Sequence, residues 1–417
     1  MKKNFAKLIL SLLILAFSPL HAQTNTFCQN NFVPTANANK LICLLPNLGF
    51  PPVTTGLDPI GGLDAAIASQ ASLFPLASPA SGIVYTTDPA LQITTASNES
   101  FGPVMFERGE TLHRRKFFLA FTYQNFQFSN MDGINLKSIP AFFPGTSANG
   151  GTGYAETSNR IDLKINQFAG YATYGITNRL DVSVAVPILE VKLAAVATCV
   201  GGYPAPAPGG RCIVNGMGDT FAYRAQSGTA SGIGDIILRG KFSVLQRERV
   251  RVAAAVDVRL PTGDKLNFLG TGAAGVRPFV AASLRGHIAP HADLGFQWNG
   301  NSNIASAQGP GISGKLPNNL FYVVGADARV AKRLTLSGDY LGQRVFSALR
   351  EGITTQSTSG FSGIYTYTGS FNTNYATVGG KVNPVGNLLL TANVLFKLDD
   401  NGLHNKPAPM VGISYVF

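Results

Sequence analysis

Residues 250–260 read VRVAAAVDVRL. Val250, Val252, Ala254, Val256, Val258 and Leu260 fall on one parity, and Arg251, Asp257 and Arg259 fall on the other. A β-strand turns successive side chains to opposite faces, so this stretch presents one apolar side and one charged side. An unbroken apolar row suits hydrocarbon, while a row with three charges suits water. A strand that meets both demands along its whole length belongs in the wall of a membrane barrel.

The pattern continues in both directions. Downstream, Pro278, Val280, Ala282 and Leu284 oppose Arg277, Ser283 and Arg285, and then Leu294, Phe296 and Trp298 oppose Asp293, Gln297 and Asn299. Similar alternation covers residues 180–188, 320–330, 334–340, 376–382 and 388–398. Short turn signals lie between strands at residues 177–179, 246–249, 289–291, 331–333 and 383–386. These five turns separate six strand pairs, which predicts an all-β, antiparallel transmembrane barrel of about twelve strands over residues 111–417. Long loops are expected near residues 129–159, 196–231, 264–275, 301–317, 347–370 and 400–406. The alternation of tight turns and long loops is that of outer-membrane barrels, whose periplasmic turns are short. One strand breaks phase, because Ile161, Leu163 and Ile165 differ in parity from Phe168, Ala172 and Tyr174. A β-bulge at Asn166–Gln167 would return them to one face.

The ends carry the address. Lys2 and Lys3 precede an apolar run from Leu8 to Phe17, then Pro19 and Ala22, the pattern of a secretory signal over residues 1–22. That run is too short to span about 30 Å of hydrocarbon as a helix. No later stretch offers 18 apolar residues in a row, so a membrane-embedded remainder has to be a closed barrel. At the other end Pro409, Val411, Ile413, Tyr415 and Phe417 share a face, and the chain stops on an aromatic ring. Tyr415 and Phe417 resemble the C-terminal signal read by the barrel-assembly machinery. The expected location is the bacterial outer membrane, with its lipids and that machinery as partners.

Composition agrees. Only 13% of residues are charged, against about 25% in a soluble domain, so much of the surface is not built for water. The formal charge is +11, but the basic residues are scattered rather than clustered, and export argues against nucleic acid as a partner. Four cysteines, Cys28, Cys43, Cys199 and Cys212, form two sequence-local pairs. In an oxidising compartment this favours Cys28–Cys43 and Cys199–Cys212 disulfides over the two other connectivities. No histidine lies near either pair to complete a metal site.

Residues 23–110 differ from the rest, being rich in Pro, Ala, Thr and Asn without sustained alternation. A short helix is expected within residues 63–77, and two short strands around Asp88–Pro89. The segment is a periplasmic tail, a plug in the lumen or two further strands.

An enzyme on a barrel scaffold is the third reading. Hydrolysis by a nucleophile requires a hydroxyl beside a base held by a third polar group. His113, His287, His291 and His404 do not stand in a His-x-Ser spacing that would put both groups on one strand face. His287 and His291 flank a turn and read as water-facing. No phosphate loop, metal spacing or dinucleotide fingerprint occurs, so no catalytic, cofactor or metal site is assigned. What remains is the inward row: Asp235, Arg239, Lys241, Arg251, Asp257, Arg259, Arg277, Arg285, Asp293, Asp327, Arg329 and Asp339, with Asp162, Lys164, Asp181, Lys381 and Lys397 on the same parity argument. It describes a polar, slightly cationic lumen. Such a lumen passes small solutes or is closed by the preceding segment.

The stretches SGIGDIILRGKF (231–242), RLPTGDK (259–265) and GVRPFVAAS (275–283) resemble the outer-membrane family named for the meta pathway of phenol degradation. The resemblance spans roughly residues 100–417. It implies a transporter for small hydrophobic or aromatic molecules and carries over no catalytic residue. The competing reading is a structural or surface-interaction barrel with a sealed lumen.

Overall fold

The computed structural model describes residues 101–417, apart from 104, 147–151, 204–211, 214–219, 222, 307–312, 356 and 358–359; before residue 101 it describes 29–30, 33–34, 36–37, 39–45, 61–71, 85–87 and 94–96. Twelve antiparallel strands make the wall: β1 (Phe117–Met131), β2 (Thr152–Gly175), β3 (Leu180–Tyr203), β4 (Ile236–Gln246), β5 (Val250–Leu260), β6 (Gly275–Leu284), β7 (Ile288–Asn299), β8 (Asn318–Ala331), β9 (Leu334–Thr355), β10 (Ser362–Val382), β11 (Leu388–Lys397) and β12 (Ala408–Val416). Each pairs with its sequence neighbours, and β12 pairs with β1 from Met410↔Gln124 to Val416↔Phe118, which closes the barrel. Closure satisfies every ladder and leaves no edge in the hydrocarbon.

The outward row is the apolar one. Val256, Val280, Leu294, Trp298, Val324, Val378 and Ile413 are exposed, while Asp257, Asp293, Asp327 and Asp339 on the opposite parity are buried inside. A closed barrel with an apolar belt, tight turns at one end and long connections at the other is an outer-membrane protein. The short-turn end, which also holds Phe117 and Phe417, is the periplasmic one.

The turn expected at residues 289–291 lies within β7, and the chain turns at residues 285–287 instead. Three further expectations need correction. The long connections are largely strand: β2 begins at Thr152, β3 reaches Tyr203, β9 runs to Thr355 and β10 starts at Ser362, so the wall stands above the membrane there. No bulge occurs at Asn166–Gln167, since Ile165, Asn166, Gln167 and Phe168 pair with Phe126, Asn125, Gln124 and Tyr123 without a shift. Instead the chemistry inverts. Phe168 and Tyr174 face out, whereas Ile161, Leu163 and Ile165 face in and are buried. The third correction follows, because Lys164 and Asp162 then point outward.

An apolar inward row needs something to bury it, and the segment before the barrel supplies it. Leu41, Ile42, Leu44, Leu45, Leu63 and Ile67 join Ile161, Leu163, Val191 and Leu193 in one core. Helix α1 (Gly61–Ala71) provides Leu63 and Ile67, matching the expected helix but ending earlier. Residues 85–87 and 94–96 form the expected pair of short antiparallel strands. At Gly228, inward on the extension Tyr223–Ile233 that pairs with β3, a Cβ would stand 2.6 Å from Leu41 Cδ2, so the wall is thinned for that contact.

Candidate functional site

The inward charges converge on residues 101–112, which lie against the inner wall of the periplasmic half. Glu107 is buried and binds Lys241 Nζ at 3.1 Å as well as the Arg239 guanidinium. Arg239 also donates to Asp257 at 2.6 and 3.0 Å, and Arg277 Nε donates to Asp257 at 3.0 Å. The Glu107 N–H donates to Asp293 at 3.1 Å, and Arg108 Nη2 to Asp327 at 3.0 Å. Glu110 accepts from Ser283 Oγ at 2.8 Å, with Arg285 at 3.8 Å. Lys381 Nζ donates to the carbonyls of Phe101 and Pro103 at 3.3 and 2.6 Å. Near the start of β1, the Leu112 N–H donates to Asp181 at 2.7 Å. At Gly109 a Cβ would fall 2.4 Å from the Arg251 carbonyl, so the segment touches backbone there.

Asp162 and Lys164 apart, the side chains of the expected inward row point inward, into surroundings drier than a water-filled lumen. Asp235, Arg239, Lys241, Asp257, Arg259, Asp293, Asp327 and Asp339 are buried, and Arg251, Arg277, Arg285 and Arg329 half-buried, so these groups are not simply wet. His291 is a plain correction: rather than facing water it is 3% exposed, with Nε2 2.7 Å from Asp339 and Nδ1 3.4 Å from Asp327. The strand carries it inward, where two carboxylates offset its burial. Glu107, Arg108 and Glu110 escape sequence reading as site residues. Their only signal is the charged run 107–110 in a segment that is otherwise nearly free of charge.

Above this network lies a cavity of about 180 Å³. Phe126, Ile165, Leu269, Phe279 and Phe321 give it apolar walls, and Met105, Phe106 and Ala68 of the leading segment also border it. Phe279 and Phe321 lie in one row on either side of Gly295, their rings 6.1 Å apart. A Cβ at residue 295 would meet Phe279 Cβ at 2.4 Å and Phe321 Cε1 at 2.6 Å, so only glycine leaves room for both side chains beside it. Arg239 stands 5.0 Å over Phe279, and Arg277 5.3 Å from the Phe321 centroid.

One cavity wall is an inward loop built by Gly-Ile-Gly-Asp (232–235) and Pro-Thr-Gly-Asp (261–264). Asp235 accepts from the Gly263 N–H at 3.1 Å, the Thr271 N–H at 2.8 Å and Thr271 Oγ1 at 2.6 Å, and Thr262 Oγ1 donates to the Gly234 carbonyl at 2.7 Å. Gly234–Asp235 carries an extra residue against β3, where Ile233 pairs with Ile188 and Ile237 with Ala185. Leu269 is thus held over the cavity. The leading segment grips the same loop: Lys40 Nζ donates to Asp264 at 2.9 Å and the Leu41 N–H to Asn267 Oδ1 at 3.1 Å. Burial works to raise the Asp264 carboxyl, but Lys40 and the Leu266 N–H outweigh it and hold it below its ordinary range.

Tyr415 and Phe417 close the final outward row, their rings 4.6 Å apart, and the Phe417 N–H donates to the Phe117 carbonyl at 2.8 Å. Cys43 and Cys199 are disulfide-bonded and no described cysteine is free. The side chains of Cys28 and Cys212 lie outside the described residues, and the local pairing stands as our proposal.

None of the curated proteins matches the sequence. Among solved structures, the chain is similar to an outer membrane channel from Pseudomonas putida F1, with 15% identity, 74% of this chain and 97% of that chain covered, and a TM-score of 0.45. It is also similar to the toluene transporter TbuX of Ralstonia pickettii, with 12% identity, 74% and 90% covered, and a TM-score of 0.25. A family model matches residues 145–402, more than half of the chain, and takes in the Gly-x-Gly-Asp and Pro-Thr-Gly-Asp motifs that meet at Asp235; the chain belongs to the family described by the MetA-pathway of phenol degradation.

Proposed function

We propose that this barrel is a channel for passive uptake of small hydrophobic or aromatic molecules, with the leading segment acting as a plug in its lumen. The observation that carries the reading is the cavity beside Phe279 and Phe321, which is roofed by Leu269 and bordered below by Met105 and Phe106. A space of about 180 Å³ suits one small ring, and its apolar walls reward burial of apolar surface at about 25 cal/mol per Å². The family description, phenol degradation, agrees in chemical class. Arg239, Arg259 and Arg277 at the cavity are each paired with a carboxylate of the wall or leading segment, which favours a neutral solute over an ion.

Liposome swelling with the refolded full chain tests the proposal. Phenol should enter faster than a sugar of similar mass, and Phe279→Ala with Phe321→Ala should narrow the difference. Equal rates for both solutes would instead describe a general pore.

A second reading is favoured by the ion pairs of Glu107, Arg108 and Glu110, which tie the leading segment to the wall. A sealed barrel that serves structure alone would have the same network. Swelling with neither solute, in the wild type or in a Glu107→Ala variant, would favour it.

A further inference from the structure

The outward faces of β1, β2, β3 and the extension 223–233 carry successive rows in register. One row is Tyr123, Phe168, Ile188 and Ile233. The next is Asn125, Asn166 and Glu190, linked by hydrogen bonds from Asn125 Nδ2 to Asn166 Oδ1 at 2.6 Å and from Asn166 Nδ2 to Glu190 Oε2 at 2.6 Å. Above it stands Gln127, Lys164, Lys192 and Thr229. The surface thus changes from aromatic and aliphatic to polar within two rows, about 7 Å apart at 3.3 Å per residue. This is the headgroup level of the outer leaflet, directly above the aromatic girdle that Tyr123 and Phe168 form with ring centroids 4.8 Å apart.

At that level every side chain of the Gln127–Lys164–Lys192–Thr229 row can donate a hydrogen bond. Lys164 and Lys192 are direct cross-strand partners, so two like charges project side by side with Cβ atoms about 5 Å apart, an arrangement that destabilises a sheet unless an anion bridges it. Nearby carboxylates cancel this charge only in part. Glu190 lies 3.1 Å from Lys192 and also accepts from Asn166, and Asp162 is engaged by Arg160 at 2.9 Å. Among the described residues no carboxylate lies within ion-pair distance of Lys164, and three cations on this face meet two anions. Thr229 adds a small hydroxyl side chain next to Lys192, which leaves room for a tetrahedral group.

We propose that Lys164 and Lys192, flanked by Gln127 and Thr229, bind a phosphate on the headgroup of an outer-leaflet saccharolipid. The rest of the wall offers a contrast in Arg344, whose cross-strand neighbours are Leu320 and Asn372 and which donates to Asn372 at 3.2 Å.

Native mass spectrometry of the refolded full chain in detergent tests the assignment, with diphosphorylated lipid A, its dephosphorylated form and inorganic phosphate as probes. The wild type should retain one diphosphorylated lipid A and little of the dephosphorylated form, with inorganic phosphate a poor competitor. K164Q/K192Q should weaken retention roughly thirtyfold, about a fivefold share for each lysine near an anionic surface. R344Q should not change it. Heat-modifiability on gels reports whether each variant is folded, and K164Q alone serves if the double variant is not. Unchanged retention in the folded lysine variants, or equal retention of the two lipid forms, would overturn the proposal. Full competition by millimolar inorganic phosphate would reassign the site to the free ion and overturn the lipid assignment.

Discussion

Strand β5 and the pair β2–β3 obey one alternation rule and reach opposite outcomes. Along β5 the apolar parity faces lipid and the charged parity faces the lumen from end to end. Along β2 and β3 the same holds as far as Phe168 and Ile188; above them, Lys164 and Lys192 face out while Leu163 and Leu193 face in. The difference lies in what surrounds each height of wall. Inside the hydrocarbon the outward side has to be apolar, whereas above it water lies outside and Leu41, Leu45, Leu63 and Ile67 lie inside. A period of two therefore reports a boundary between two media without saying which side is lipid.

The comparison breaks most visibly at Glu107, which is 2% exposed and belongs to the leading segment rather than the wall. Glu107→Ala leaves Arg239 and Lys241 short of a partner, and removing one member of a buried ion pair costs about 3–5 kcal/mol. The segment 101–112 should become cleavable in limited proteolysis and conductance in planar bilayers should rise. Unchanged protection and conductance would mean that this contact does not hold the segment.

The two faces can be compared by substitution. Leu163→Ala removes a buried inward side chain and should lower the unfolding free energy by about 2–5 kcal/mol, as read by urea titration in detergent or bilayers. Val256→Arg puts a charge on the lipid face near the midplane and should cost about 2–4 kcal/mol. Ala194→Arg is also outward but lies above the polar boundary opposite Asp162, and should cost under about 1 kcal/mol. Equal costs for Val256→Arg and Ala194→Arg would erase the boundary drawn at Phe168.

The cysteines test how the outer half is held together. Local Cys28–Cys43 and Cys199–Cys212 bridges would each restrict the unfolded chain by about 3 kcal/mol for loops of this size. Peptide mapping without reductant should recover both local pairs, and a bridge from Cys43 to Cys199 would tie the leading segment covalently to β3. Deleting Phe417 should have a smaller energetic effect, about 0.5–1.5 kcal/mol for its aromatic contact, yet should reduce the heat-modifiable fraction in the outer membrane if the ring is the assembly handle.

The smallest effect belongs to the Lys40–Asp264 contact, in which both side chains are more than a third exposed. Asp264 has a depressed carboxyl in the folded state, so its contribution is present above its ordinary value of 3.8 and fades as pH falls through the folded value. A fluorophore on the loop 261–274 should report looser docking at pH 2.5 than at pH 6. Asp264→Asn should remove that difference.

Strand number, strand direction, the inward charges other than Asp162 and Lys164, and the closing aromatic row were legible in the sequence, because a strand exposed to two media must alternate and a tight turn needs its own residues. Helix α1 was legible for a similar local reason, as a run of small and apolar residues after Gly61–Gly62. The sequence could not say that His291 is buried between Asp327 and Asp339, that Glu107 meets Arg239 across 132 positions, or that Leu163 faces inward. Those facts depend on what fills the space beside each strand. Alternation is a property of one strand and its two sides, whereas burial and charge pairing depend on contacts between distant parts of the chain, and only the closed barrel with its leading segment brings those parts together.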